Sequence, residues 1–473
     1  MQRAWTRDWR AICHTSPMTT LTAHRLPDDS YRPVRWIIAA IEIACAALLL
    51  FMFYEGPLAR MFSDGQTSDG NAFLRLIWLP AYGLVFLLCL TRLPRMLIAG
   101  FRLPILVAML LLTAASVFWS IDVALTARRV VAIGFTSLFG VYLASRYSWR
   151  DLLRLLAVMV IALAIISFGV SLAMPEFGRD FETHGGAWRG MWWEKNTLGA
   201  HMSRGTFLCG FLAIVDVRYR RYWVFGTMLC LALVVLSASK TSLLGTMLGF
   251  GILAAAAWMK RGPLETISFT WVGVTIGGAI ALALLVDPVS FLKLLGRDAT
   301  LTGRTDIWVE LTYSIRQRIW LGYGYGSFWS EGSMAAFLVR ESLQWEAPTA
   351  HNGWLDLWLS IGLAGVVLFL FNFVQTVWRA IRRAFAGWSG VFAVGYLAQF
   401  FLFTISESIV LQQNAITWVV YMAVATRLVL DAHETRIAAR RQAREQYVLQ
   451  IRDRPRRLAA SRMVTRSAPD SRA

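Results

Sequence analysis

The stretch "APTAHNGWLDLWLSIGLAG", residues 347–365, begins as a polar loop and ends inside a long apolar helix. The apolar run continues to about residue 375, enough to cross roughly 30 Å of hydrocarbon. His351 and Asn352 stand at the threshold, in a chain with only six histidines among 473 residues. What such a pair can do depends on which side of a membrane it faces.

Composition supports the membrane reading. The chain is 57% hydrophobic and only 16% charged, whereas a soluble domain has about a quarter of its residues charged. Twelve apolar runs recur, at about 35–54, 73–90, 103–119, 127–145, 151–173, 196–215, 222–238, 241–259, 266–286, 352–375, 388–405 and 411–430. The expected fold is all-α: a polytopic integral membrane bundle of about 12 transmembrane helices, with a long periplasmic loop carrying short helices. Its divisions are a basic cytoplasmic tail (1–34), helices 1–9 (35–286), the loop (287–350), helices 10–12 (351–430) and a second basic cytoplasmic tail (431–473).

Charge sets the orientation. Arg92, Arg95 and Arg102 follow the second run, Arg146, Arg150 and Arg154 the fourth, Arg218, Arg220 and Arg221 the sixth. Lys260 and Arg261 follow the eighth, and Arg379, Arg382 and Arg383 the tenth. Basic loops mark the cytoplasmic side, so both termini are expected there. The tail from Asp431 to Ala473 holds eleven Lys/Arg against five Asp/Glu. The net charge of +18 is thus read as orientation and attraction to anionic lipid, and no nucleic-acid partner is expected. The five cysteines lie in the N-terminal tail or in apolar runs, so no disulfide framework is expected.

Two outward segments remain for chemistry. One is "MPEFGRDFETHGGAWRGMWWEKN"; the other runs from Asp287 to Ala350. In the second, Ile307, Trp308, Leu311 and Ile315 form a helical apolar stripe, "LGYGYGSFW" reads as a glycine-rich turn, and 331–345 as a second short helix, together a lid. No HExxH motif and no paired His/Asp ligand set occurs, so neither a metal nor a cofactor is expected. The glycines precede no GK[ST] and are not a phosphate loop.

The outward rim collects cations instead: Arg189 and Lys195 beside Asn196, Lys240, Arg304, and Arg128 with Arg129. Positive charge on that side opposes the orientation bias and needs another reason, such as a lipid-linked pyrophosphate. A single interfacial Lys or Arg is more often a snorkelling anchor than a ligand. The Asn of a His-Asn pair is as readily a helix cap as a substrate group. Arg204 and Glu42, deeper in apolar runs, are expected to be paired or to face a cavity.

The combination resembles a family. "WRGMWWEKNTLG", "LSASKTSLLG", "LTGRTDIW" followed by "LGYGYGSF", and "HNGWLDLWLSIGLAG" occur in the order of the O-antigen ligase and exopolysaccharide polymerase superfamily. "FWSIDVALTARR" resembles its early segment. The likeness covers roughly residues 105–425 and points toward the ExoQ-like exopolysaccharide production proteins. Lys240 stands where many members carry arginine. The resemblance implies an inner-membrane enzyme that transfers an undecaprenyl-pyrophosphate-linked saccharide to an acceptor saccharide on the periplasmic face. It implies His351 as general base, Arg304 and Arg189 on the pyrophosphate, Lys195 and Lys240 in support, and Asn196 and Asn352 orienting substrate. Imidazole, titrating near ~6.5 in peptides, suits such a base.

Polymerisation of repeat units is the first expectation, with ligation of finished chains to lipid A-core the alternative. The bilayer, a chain-length regulator and export proteins are the expected partners. A twelve-helix transporter is the reading from another class; it would show repeats and midplane binding groups, and no repeat is visible.

Overall fold

The computed structural model describes residues 32–54, 72–182, 185–259, 261–268, 304–344 and 346–466, with a few single positions between them, Arg60 among these. Helices occupy eleven of the twelve expected spans. Of the ninth, 266–286, only 266–268, 271–273 and 275 are described; His184, most of the first tail and 287–303 lie outside the described residues. The helices are α1 (Arg32–Phe53), α2 (Ala72–Leu90), α3 (Leu93–Arg102), α4 (Pro104–Ala115), α5 (Val123–Arg146), α6 (Trp149–Ala173) and the short α7 (Pro175–Gly178). Then come α8 (Lys195–Val215), α9 (Arg220–Leu236), α10 (Lys240–Met259), α11 (Arg304–Gln317), α12 (Met334–Leu343), α13 (Gly353–Ala384), α14 (Trp388–Ser406) and α15 (Ile416–Arg466). Two-residue strands β1 (Arg179–Asp180) and β2 (Ala187–Trp188) pair antiparallel between α7 and α8.

Among the described residues, seven helices are long and apolar enough to cross a membrane: α5, α6, α9 with the turn before it, α8, α10, α13 and α14. The broken pair α2–α3, bent by 90°, passes the same test when its two parts are taken together, as a broken span or a re-entrant loop. The chain is a polytopic helical membrane protein. Two boundaries differ from the sequence reading. Residues 411–415 form a turn rather than the start of a helix, with Leu411 and Asn414 at positive φ. And α15 does not stop near 430 but runs unbroken to Arg466, since no Gly or Pro cap interrupts the helix where it leaves the apolar zone.

The centre is α8 against α14, the two most enclosed spans, each 72% buried. Between apolar helices in lipid, close approach and not hydrophobic burial supplies the packing energy, so small residues mark the contacts. A Cβ on Gly249 of α10 would meet the Phe207 ring of α8, and one on Gly395 of α14 would meet the same ring. Gln399 donates from Nε2 to the Gly245 carbonyl at 2.8 Å, fixing α14 on α10. Glu42 is a structural ion: it pairs with Arg146 at 2.8 Å and Arg92 at 3.5 Å and accepts from the Tyr142 hydroxyl.

A second, smaller core lies over one end of the bundle, here called the cap end. Ile307, Leu311 and Ile315 of α11 pack with Tyr323, Phe328, Val339, Ala350 and Leu359. The expected apolar stripe is thus buried, and its floor is α13 itself.

How the cap is seated was not legible in advance. The sequence reads as one continuous helix from 352, but α13 breaks at Ile361 and Gly362, where φ is −133° and +70°. The glycine-rich turn fills the break. Tyr323 N donates to Leu359 O at 2.7 Å, Gly324 N to Ser360 O at 3.1 Å, and Leu363 N to Ile319 O at 2.8 Å. Backbone groups freed at membrane depth must find partners, and the turn supplies them. A Cβ on Gly362 would overlap the Trp320 backbone, so the break requires glycine both for φ and for space.

Candidate functional site

The cap end gathers helix termini from distant parts of the chain. Gly199, one turn into α8, approaches Ser237, Ser239 and Ser242 around the start of α10. One turn further along α10, Gly245 faces Phe403 of α14. Gly353, at the start of α13, would place a Cβ against Val410 and the Glu407 carbonyl. The starts of α8, α10 and α13 and the end of α14 therefore lie side by side.

Lys195, Lys240 and Arg304 are each the first residue of the helix that carries them. A helix N-terminus carries about half a positive charge, so a cation there costs about 0.3–1 kcal/mol relative to an acid. The helix dipole does not favour these placements; for Arg304 an acid offsets the cost, as described below.

His351 sits just before α13 with φ of +47°, in the left-handed region, where residues with a Cβ are uncommon. Asp356, in the first turn of α13, braces it. Its carboxylate accepts from Ala350 N at 3.2 Å and Trp329 Nε1 at 2.8 Å, and from the Ser408 hydroxyl. Trp308 Nε1 donates to Ala350 O at 2.9 Å from the other side. Asn352 caps α13 through Oδ1, accepting from Trp354 N at 2.9 Å and Leu355 N at 3.2 Å. The capping reading of Asn352 is therefore realised in the fold.

Glu407, directly after α14, ties this corner together. Its Oε2 stands 3.9 Å from His351 Nδ1 and its Oε1 3.4 Å from Arg304 Nη2. Arg304 Nη1 donates to the Ser406 carbonyl at 2.7 Å, closing the C-terminus of α14 as a cation should. Glu407 thus faces the Nδ1 side of His351. Sequence reading missed Glu407 and Asp356. The signal for Glu407 is an acid in "TISESIV", where an apolar run ends; its partners are visible only in three dimensions.

Arg189 stands elsewhere. Its guanidinium donates to the Phe177 carbonyl at 3.2 Å and the Glu176 carbonyl at 3.1 Å, within the α7–β2 segment. Arg60 joins it there, donating to the Phe177 and Trp192 carbonyls and lying over the Phe177 ring. Lys195 and Asn196 make no side-chain hydrogen bond among the described residues. The structure thus joins His351, Asn352 and Arg304 through the ends of α13 and α14. It brings the helices of Lys195, Asn196 and Lys240 alongside them and leaves Arg189 in a separate cluster.

A many-pass membrane bundle with a helical cap over converging, cation-bearing helix ends is the class that the fold and this corner define. Residues 225–370 match the family described as O-Antigen ligase, a span from α9 to the first half of α13 that includes Lys240, Arg304 and His351. The chain is also 25% identical over 201 residues to the exopolysaccharide production protein ExoQ of Rhizobium meliloti strain 1021, covering 40% of this chain and 46% of that protein. The match therefore spans a little under half of the relative's length. Both comparisons support the O-antigen ligase and ExoQ-like resemblance carried by the sequence motifs.

Proposed function

We propose that this protein is a polysaccharide-assembly glycosyltransferase of the inner membrane, with the cap end facing the periplasm and both termini in the cytoplasm. The donor is a saccharide on undecaprenyl pyrophosphate, and the acceptor is a sugar hydroxyl. The observation that carries the reading is the meeting of His351, Glu407 and Arg304 among helix starts headed by lysine and arginine.

The chemistry asks little more of the protein. His351 takes the proton of the acceptor hydroxyl while Glu407 steadies the imidazolium that forms. The acceptor oxygen bonds to the anomeric carbon as the bond to the pyrophosphate oxygen breaks, and the electron pair departs on that oxygen. Arg304, Lys195 and Lys240, with the positive ends of their helices, stabilise the growing negative charge in a water-poor corner. Asn196 and Asn352 border the acceptor, and Arg189, bound to the carbonyls of α7, stays outside this corner. Direct displacement inverts the anomeric configuration and requires neither metal nor cofactor.

Similarity to a protein named for exopolysaccharide production favours polymerisation, with another lipid-linked repeat as acceptor. Ligation to lipid A-core is the second reading, favoured by the family description. Complementation of a deletion strain with His351→Ala, at verified membrane levels, tests both. Loss of polymer with single repeats left on the carrier supports polymerisation, and long chains left on the carrier support ligation. Wild-type polymer would remove His351 from the mechanism.

A further inference from the structure

Beneath the rim lies a cavity of about 50 Å³ among the spans, bordered by Tyr54, His201, Arg204, Phe207, Phe392 and Tyr396. By the usual 10–15 Å³ per site it has room for about four waters, or for one phosphoryl group, and it is too small for a sugar ring. Its polar centre is Arg204, inside α8. Three other arginines of the bundle face acids: Arg146 pairs with Glu42, Arg154 with Asp216, Arg427 with Asp431. Arg204 forms no salt bridge among the described residues. Nη2 donates to His201 Nδ1 at 3.3 Å, the guanidinium lies 5.3 Å over the Phe403 ring, and Nη1 is shut off from solvent without a hydrogen-bond partner.

His201 reinforces the reading. Arginine only donates, so the Nδ1 it meets is an acceptor, and His201 is the neutral tautomer with its proton on Nε2. The ring is held between Tyr54 and Trp192, with centroids at 5.2 and 5.1 Å. An unpaired cation fixed at membrane depth, beside a neutral donor and a small cavity, is costly unless an anion joins it.

We infer that Arg204 and His201 form a second oxyanion site, which takes the phosphoryl end of a prenyl-type lipid phosphate. Arg204 is nine positions beyond Lys195, roughly 13 Å down α8 at 1.5 Å per residue. The pair lies deeper along α8 than the helix start that Lys195 heads, and two binding events rather than one would show that the two places hold separate groups. The planar fork of arginine suits phosphate oxygens, and the apolar walls suit a hydrocarbon-borne ligand more than a free ion. Naming a prenyl carrier rests on the function proposed above; the need for an anion at Arg204 does not.

The test is ligand binding to the full-length protein, purified in detergent and read by native mass spectrometry. Farnesyl diphosphate and inorganic pyrophosphate are the probes. Two farnesyl diphosphates are expected to bind the native protein. Arg204→Gln should weaken one event by about tenfold or more, and Lys240→Gln with Arg304→Gln should weaken the other. Unchanged binding to Arg204→Gln overturns the inference. Inorganic pyrophosphate filling the Arg204 site as tightly as farnesyl diphosphate overturns the lipid assignment. Should the rim variants leave both events intact while Arg204→Gln removes one, the proposed function fails and this site stands. If Arg204→Gln does not accumulate, His201→Gln serves: severalfold weaker binding supports the site, and unaltered binding sinks it.

Discussion

The Glu407 carboxylate stands 3.9 Å from Nδ1 of His351, although the whole of α13 and α14 separates the two in the chain. At that distance the pair is poised rather than bonded, and a small rotation or one water closes it, as is common before substrate arrives. Glu407→Gln keeps the shape and removes the charge that would favour an imidazolium. Transfer activity on a lipid-linked donor is expected to fall on the order of 10²-fold, with protein level unaffected. Activity within twofold of the native protein would show that Glu407 only anchors Arg304.

Arg304 has two duties, closing α14 at the Ser406 carbonyl and pairing with Glu407. Lysine keeps the charge but cannot serve both with one planar fork. Arg304→Lys should therefore retain more activity than Arg304→Gln, while both raise the donor KM. The order of the two in a steady-state assay is the check; equal loss would mean that geometry, not charge, is what Arg304 supplies.

Gly362 joins the cap to the bundle. Gly362→Ala places a Cβ where the Trp320 backbone lies and forces a residue with a side chain to φ near +70°. Destabilisation of about 1–3 kcal/mol is expected from the backbone strain alone, read as a lower melting temperature in detergent. Limited proteolysis should open sites in 318–332 first. Gly387→Ala is the control, since no atom lies within 4 Å of a Cβ there.

Asp356 braces the loop that carries His351 by accepting from Ala350 N, Trp329 Nε1 and Ser408. Asp356→Ala leaves these donors unpaired, at about 1–3 kcal/mol for each that stays buried. Activity should fall with stability, and Asp356→Asn, which keeps one acceptor oxygen, should lie between. Full activity in the Ala variant would show that the loop holds His351 without it.

Asp216, between α8 and α9, offers a pH test away from the site. Burial raises its pKa, but the Arg154 fork at 2.7 and 2.8 Å and the Trp223 Nε1 donor outweigh that and hold it below the ordinary carboxylate value. A depressed folded pKa contributes stability above the unfolded value, near ~3.9, and loses it as pH falls through the folded value. Native protein should therefore melt above Asp216→Asn from pH 8 to about pH 5, with the gap closing below about pH 4. A gap that does not narrow at all as pH falls from 5 to 3 would mean that shape, not charge, holds α6 to this turn.

The sequence by itself determined that the chain is a helical membrane bundle, because apolar length against bilayer thickness is a local property of each run. It also marked the cations at the helix starts, because charges that flank an apolar run stand out one at a time. Asn352 as a cap was legible for the same reason: a helix start is a few residues long. Tertiary structure alone decided which of those residues meet. Glu407 became part of the corner only when α14 ended beside the start of α13, and Arg189 was drawn into another cluster by the carbonyls of α7. The break at Gly362 was hidden because the groups that satisfy it come from the glycine-rich turn of the cap, far off in the chain. Arg204 was visible as a charge in an apolar run, but only the packing of α8 showed it without an acid partner and facing a cavity. Hydropathy and capping are one-segment energies, whereas ion pairs, broken helices and cavities are set by which segments pack together.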